Sequence, residues 1–125
     1  MIAVLLLCSA PLAAKDLVKT VISGEPALMY RYAHWRPDDC SPDLGVVKVL
    51  AKPQHGKLTP LRETRPIPAS GTRNPSPIKC IGKPTPMFAV YYTSHPGFRG
   101  VDNFRIEVNY RRLRPDFDTF ILYVR

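Results

Sequence analysis

The side chains best suited to chemistry in this sequence are three histidines, and none has the neighbours that catalysis requires. Nucleophilic catalysis needs a serine or cysteine beside a histidine base, with a third group that orients the base. Ser94 and His95 are adjacent, but neighbouring residues at the end of a strand point in different directions. No G-x-S-x-G context is present, and no acidic residue stands in a context typical of glycoside hydrolysis. We therefore expect a protein that is not an enzyme.

Metal binding is the second chemistry to test, and the spacing does not favour it. His34, His55 and His95 are available as ligands beside the cysteines, but no C-x-x-C or H-x-x-x-H spacing occurs. Calcium sites need several converging carboxylates, and the one acidic cluster consists of Asp38, Asp39 and Asp43. We expect neither a metal nor another cofactor.

The cysteines indicate a disulfide bond. Cys8 lies in the apolar start of the chain, which leaves Cys40 and Cys80 as an even pair. In an oxidising compartment such a pair usually forms one disulfide. Closing a loop of about 41 residues would stabilise the fold by roughly 4 kcal/mol in the chain-entropy description.

The start of the chain predicts export. Residues 1–14 carry no charge and consist of an apolar run, a proline and small residues, which is typical of a signal peptide. The alternative is that these residues form an apolar first strand. The basic residues that usually open a signal peptide are missing, which a true start upstream of Met1 would explain. Cleavage after Ala14 leaves residues 15–125 as a single domain with the whole net charge of +8. We expect a periplasmic or secreted bacterial protein.

The elements that must position these residues are strands. Fourteen prolines exclude a mainly helical bundle, and no stretch reaches the roughly 18 apolar residues that a membrane span needs. Short runs rich in β-branched and aromatic residues are separated by turn residues, which predicts an all-β, antiparallel β-sandwich. The seven candidate strands are Leu17–Ile22, Leu28–Trp35, Val46–Ala51, Lys57–Thr59, Met87–Thr93, Phe104–Tyr110 and Thr119–Val124.

One long segment interrupts this pattern. Residues 62–77 contain four prolines and almost no apolar residues. Because proline has no backbone N–H, we predict a Pro-rich loop rather than a central strand. The loop lies within the span from Cys40 to Cys80, so a disulfide would tether it. It is either a solvated insertion or a recognition loop on a rigid scaffold.

Two motifs carry a family resemblance. The first is Pro53-x-His55-Gly56-x-Leu58, and the second runs from Tyr92 through P-G-F-x-G-x-D-x-F to Phe104. Together they resemble the bacterial cadherin-like and immunoglobulin-like (Ig-like) repeats of exported proteins, over roughly residues 46–124. The resemblance implies an Ig-like sandwich in which the motif residues have structural roles. These residues are Pro53, Gly56, Pro96, Gly97, Phe98, Gly100, Asp102 and Phe104.

The physical chemistry of the motif is that of a turn. Gly97 and Gly100 permit backbone angles that other residues avoid, and Phe98 and Phe104 supply apolar mass at one end of the sandwich. We expect the carboxylate of Asp102 to accept hydrogen bonds from backbone amides of its own turn. The chain differs from the family because we expect a single domain, because it carries a candidate disulfide and a Pro-rich insertion, and because it is basic. These differences argue against an adhesive array.

The basic surplus is the feature that could select a partner. The chain has 18 Lys and Arg against 10 Asp and Glu, and such a surplus attracts anionic partners at low salt. Export and the lack of a reader motif argue against nucleic acid. We expect a non-enzymatic module that binds an anionic envelope component or a protein; the alternative is a small secreted inhibitor or accessory subunit that uses residues 62–77. The candidate surface comprises Arg62, Arg65, Arg73, Arg111, Arg112 and Arg114.

Overall fold

Seven strands form the described part of the chain, as the sequence predicts. The computed structural model describes residues 15–69, 76–111 and 113–125, so the predicted signal peptide, Arg73 and Arg112 lie outside the described residues. The strands are β1 (Lys15–Val21), β2 (Ala27–Tyr32), β3 (Val46–Ala51), β4 (Gly56–Pro66), β5 (Pro84–Ser94), β6 (Gly100–Asn109) and β7 (Asp116–Val124). A single 3-10 turn spans Ile78–Cys80. Within the described ranges, no helix has the length and apolar character needed to cross a membrane.

Two sheets pack face to face, which confirms the predicted β-sandwich. One sheet has the strand order β1-β7-β6-β3 and the other has the order β2-β5-β4. Four of the five strand pairs are antiparallel, but β1 runs parallel to β7 from Lys15 opposite Asp118 to Val21 opposite Val124. Parallel strands need a long crossover connection, and here the five intervening strands supply it.

The core lies between the two inner faces. In β6 the residues alternate between buried and solvent-facing positions, because one face of the strand packs inward. Phe104 of this strand stacks on Phe120 of β7 with ring centroids 4.5 Å apart. The hydroxyl of Tyr32 crosses the core and donates a hydrogen bond of 2.6 Å to Oδ2 of Asp118. Burial, together with this bond to a carboxylate, raises the pKa of Tyr32.

The prediction of a loop over residues 62–77 is wrong for its first part. Residues 62–66 belong to β4, which pairs with β5 along its whole length of 11 residues. The prolines are compatible with this strand because of their parity. Just beyond the two ends of β4, the backbone groups of His55 and Ile67 form hydrogen bonds across the hairpin. The backbone N–H and C=O groups of the odd-numbered residues therefore point to β5. Pro60 and Pro66 are even-numbered, so their backbone nitrogens, which carry no hydrogen, point to the free edge of the sheet, where proline is tolerated.

The two sequence motifs meet at one end of the sandwich, where Asp102 joins them. Its Oδ1 accepts hydrogen bonds from the backbone N–H of Gln54 (3.0 Å) and Asn103 (2.9 Å). Its Oδ2 accepts from the backbone N–H of His55 (3.0 Å) and the hydroxyl of Tyr92 (2.7 Å). The prediction that Asp102 serves its own turn is therefore incomplete, since two of the bonds reach the preceding motif. Burial opposes ionisation of Asp102, but these hydrogen bonds outweigh it and lower its pKa.

The glycines and aromatic residues of this end occupy turn and packing positions. Gly97 and Gly100 have φ values of 83° and 140°, in the region that glycine alone enters readily. A Cβ on Gly56 would lie 2.6 Å from the carbonyl oxygen of Thr93, so only glycine fits there. Phe98 packs partly against the core and stacks on His55 with centroids 4.0 Å apart. Pro53 lies in the β3–β4 turn (52–55) and Pro96 in the β5–β6 turn (95–99). With the β1–β2 turn (22–26), these turns form one end of the sandwich, which we call the three-turn end.

Candidate functional site: the disulfide end

The opposite end of the sandwich brings together three chain segments that are far apart in sequence. They are the β2–β3 connection (33–45), the described parts of the β4–β5 connection (67–69 and 76–83) and the β6–β7 turn (110–115, of which residue 112 is not described). We call this region the disulfide end. Of the candidate basic residues, Arg111 and Arg114 belong to it, whereas Arg62 and Arg65 lie on β4.

A disulfide holds the first two segments together, as predicted. Cys40 and Cys80 are bonded, with their Cα atoms 5.4 Å apart. They form a small apolar cluster with Ile67, which is 1% exposed, and Trp35 packs against it. Cys40 has a φ of 61°, and its backbone N–H donates to the carbonyl of Arg36 at 2.9 Å. Since a left-handed non-glycine residue costs of order 1–3 kcal/mol, the disulfide and this bond maintain a strained turn.

The β4–β5 connection continues the hairpin before it diverges. The backbone N–H of Ile67 donates to the carbonyl of Lys83, and that of Gly82 donates to the carbonyl of Ile67, both at 2.8 Å. Lys79 donates through Nζ to the backbone carbonyl of Asp38. These bonds fix the described part of the predicted insertion to the scaffold on both sides of the disulfide.

A buried carboxylate connects the β6–β7 turn to the same region. Asp43 is 7% exposed, and its Oδ1 accepts a hydrogen bond from the backbone N–H of Arg111 at 3.4 Å. Its Oδ2 lies 3.5 Å from Nδ1 of His34, and the His34 ring packs on Tyr110 with centroids 5.7 Å apart. From the sequence, Asp43 and His34 stand out only as possible metal ligands, and nothing in it indicates this role. Because 68 residues separate Asp43 from Arg111, no local sequence pattern indicates that they are hydrogen-bonded.

The arginines of the candidate surface divide into two groups. Arg62, Arg111 and Arg114 are exposed, and no acidic side chain in the described part of the chain forms an ion pair with them. Arg65 is also exposed, but its Nη1 lies 4.0 Å from Oε2 of Glu63. Strand parity places Arg62 and Arg65 on opposite faces of β4, so they do not act as one patch.

Glu63 is the centre of a separate polar cluster on the outer face of the three-stranded sheet. Its Oε2 accepts a hydrogen bond from Nε of Arg31 (3.2 Å), and its Oε1 accepts from the hydroxyl of Tyr91 (3.3 Å). Because one carboxylate faces two arginines here, the positive charge of Arg65 is partly compensated. At the disulfide end itself, Arg111 and Arg114 of the β6–β7 turn and Lys83 of the β4–β5 connection are exposed and form no ion pair with the described acidic side chains.

The Ser94–His95 pair has a structural arrangement. The hydroxyl oxygen of Ser94 accepts a hydrogen bond from the backbone N–H of Gly24 (2.8 Å) and the hydroxyl donates to the carbonyl of His95 (3.2 Å). The bond from Gly24 fixes the β1–β2 turn to the end of β5, and the bond to His95 is local. Among the described residues, no group of three or more His, Cys, Asp or Glu side chains is arranged to hold a metal ion.

Comparisons of the chain with protein-family models, with curated proteins and with solved structures find no match. The resemblance to cadherin-like and Ig-like repeats therefore rests on the two sequence motifs. Their residues meet at the three-turn end. Of the candidate binding residues, Arg111 and Arg114 lie at the disulfide end, Arg62 and Arg65 lie on β4, and Arg73 and Arg112 lie outside the described residues.

Proposed function

We propose that this protein is an exported, non-enzymatic Ig-like binding module whose disulfide end contacts an anionic component of the bacterial cell envelope. The observation that carries the proposal is the position of the exposed Arg111 and Arg114 on a turn that a buried carboxylate joins to the disulfide-linked loops. A rigid scaffold that presents charged loops is a common arrangement for recognition. The disulfide fits an oxidising compartment such as the periplasm.

The strand edges support binding through loops rather than through strand addition. Edge strands present unpaired backbone groups that capture other strands unless a feature blocks them. The pairing of β2 shifts register after Leu28 and that of β3 shifts after Val49. Pro60 and Pro66 interrupt the free edge of β4. On β1, Lys19 lies on the inner face between two residues that pack inward, so a charged side chain interrupts that edge. Each of the four edges thus has such a feature.

The test is binding to anionic vesicles rich in phosphatidylglycerol, with phosphatidylcholine vesicles as the neutral comparison. The variant Arg111→Gln/Arg114→Gln removes two charges from the disulfide end. Since a basic residue near an anionic surface contributes about 1 kcal/mol, we expect binding roughly 30-fold weaker at low salt. We also expect the wild-type protein to lose most of its binding as salt rises.

The matched control is Arg99→Gln/Arg125→Gln, which removes two exposed arginines from the three-turn end. We expect this variant to bind within about threefold of the wild type. Equal losses in both variants would show that net charge alone governs binding and would refute a defined surface. Lipopolysaccharide and peptidoglycan, tested with the same variants, would then separate phosphate from carboxylate partners.

The alternative of a small inhibitor or accessory subunit now concerns a shorter segment. Because residues 62–66 belong to β4, an inserting loop is limited to residues 67–83. Deletion of residues 70–75 leaves β4, β5 and both cysteines in place. If that variant folds but no longer captures a partner that the Arg111→Gln/Arg114→Gln variant still captures, the inhibitor explanation replaces ours.

A further inference from the structure

A cleft opens between β3 and β4 near the three-turn end, away from the surface proposed above. Its volume is about 250 Å³. The first sequence motif, which we assigned to a turn, supplies much of its wall. The lining residues are Val49, Lys52, Pro53, Gly56, Lys57 and Leu58.

The floor of the cleft is apolar because it is an uncovered part of the core. Leu58 packs partly against the buried cluster, and so does Val47 of the facing edge strand. Val49 lies two residues after Val47 and points to the same inner side of the sheet, yet it is 38% exposed. Nothing in the described chain closes the sandwich between these two edges, so apolar side chains meet solvent there.

The rim of the cleft is cationic. Lys52 and Lys57 are both exposed, and neither forms an ion pair with an acidic residue in the part of the chain described. Lys57 also lines a neighbouring hollow of about 320 Å³, whose wall includes Thr93 and His95. Strand parity directs Lys57 to the face of β4 opposite Leu58, so it borders the cleft at the edge of the strand. An apolar floor bordered by two unpaired lysines favours a ligand with an apolar tail and an anionic head.

We propose that this cleft binds a medium-chain carboxylate, a free fatty-acid anion. Its tail lies against Val49 and Leu58, and its carboxylate lies between Lys52 and Lys57. A cleft of about 250 Å³ has room for several methylenes, each about the size of a water molecule, which suits a chain of medium length. A peptide strand fits less well, because Pro60 and the register shift of β3 oppose strand addition on either side.

The experiment is a titration of the uniformly ¹⁵N-labelled protein with octanoate below its micelle concentration, followed by amide chemical shifts. We expect saturable shifts confined to residues 49–58 and the adjoining part of β5. The variant Val49→Trp fills the cleft from its exposed edge and should abolish the shifts. Lys52→Gln/Lys57→Gln should weaken binding about tenfold, since exposed charge pairs are individually weak. The control Arg111→Gln/Arg114→Gln, at the other end, should bind octanoate as the wild type does.

Three results would overturn the proposal. One is the lack of a saturable shift at residues 49–58. Another is unchanged octanoate binding in a folded Val49→Trp variant. The third is equal binding of octyltrimethylammonium, which has a similar tail and the opposite charge. None of these results bears on the disulfide end, so the two proposals fail independently.

Discussion

Replacement of Asp102 tests how the two turn motifs are held together. The side chain is 3% exposed and accepts four hydrogen bonds, which link residues of three different segments. Asp102→Ala removes every one of these acceptors and leaves a cavity beside the buried hydroxyl of Tyr92. The variant should therefore lose stability, while the disulfide end keeps its structure.

The magnitude follows from the type and burial of these bonds. Hydrogen bonds to a charged group contribute about 1.5–3 kcal/mol each, so a simple sum over four bonds gives about 6–12 kcal/mol. That sum is too large, because the three amide bonds are only part-buried and water can replace the carboxylate there. Only the Tyr92 hydroxyl stays buried without a partner. We expect a loss of about 3–4 kcal/mol, in line with removal of one member of a buried charged network.

The assay is urea unfolding at neutral pH, followed by the fluorescence of Trp35, the only tryptophan. With an m-value of about 1.5 kcal/mol per M, the midpoint should fall by about 2–3 M. The control is Asn103→Ala, an exposed neighbour on the outer side of β6, which should cost less than about 0.5 kcal/mol. Midpoints that agree for Asp102→Ala and Asn103→Ala would refute the reasoning.

The pH dependence gives a second readout of the same carboxylate. The pKa of Asp102 is lowered in the folded state, so its stabilisation is present above the unfolded value of about 3.9 and is lost as the pH falls through the folded value. Asp102→Asn keeps the shape without the charge. The difference in unfolding free energy between the wild type and Asp102→Asn should therefore narrow below about pH 4. A difference that stays constant there would contradict a charged Asp102.

Four further variants test other parts of the fold. Cys40→Ser/Cys80→Ser should lower the unfolding free energy by about 4 kcal/mol, because the unfolded chain loses a crosslink that spans 40 residues; a reductant should then leave the variant's urea midpoint unchanged while it lowers that of the wild type. Tyr32→Phe should cost about 1.5–3 kcal/mol through loss of a buried bond to a carboxylate, and a cost near zero by urea unfolding would contradict that bond. Arg62→Pro removes an N–H that points to the free edge of β4 and should lower the unfolding free energy by about 1 kcal/mol or less. Leu61→Pro removes an N–H that bonds to β5 and should lower it by about 3 kcal/mol or more. Similar urea midpoints for the two proline variants would show that the strand parity is wrong.

The sequence predicts the strands well because short β-branched and aromatic runs leave little alternative in a chain with fourteen prolines. Its largest error, the loop over residues 62–77, comes from treating proline as a strand breaker without regard to parity. Whether Pro60 and Pro66 point to the ladder or to the free edge depends on the register with β5, and that register is set by the connection between the two strands and by the face that is buried. The parallel pairing of β1 was missed for a similar reason, since nothing local distinguishes its partner.

The candidate site could be predicted in composition but not in arrangement. Cys40 and Cys80 were identified because removal of Cys8 leaves a single pair. Arg111 and Arg114 were placed in an exposed turn because they lie between two clear strands. The joining of that turn to the disulfide-linked loops through Asp43 depends on strand order, which single-sequence patterns do not specify. The same holds for Asp102, whose partner Gln54 is 48 residues away.

The structure also changes the meaning of the net charge of +8. The buried charged residues of the described chain are Asp43, Asp102 and Asp118, and all three are acids; no described lysine or arginine side chain is buried. A carboxylate with buried donors can be held in the interior, because hydrogen bonds offset its desolvation, whereas a long basic side chain reaches solvent easily. A partner at the surface therefore meets more of the cations than of the anions, so short-range contacts favour anionic groups more strongly than the net charge alone indicates.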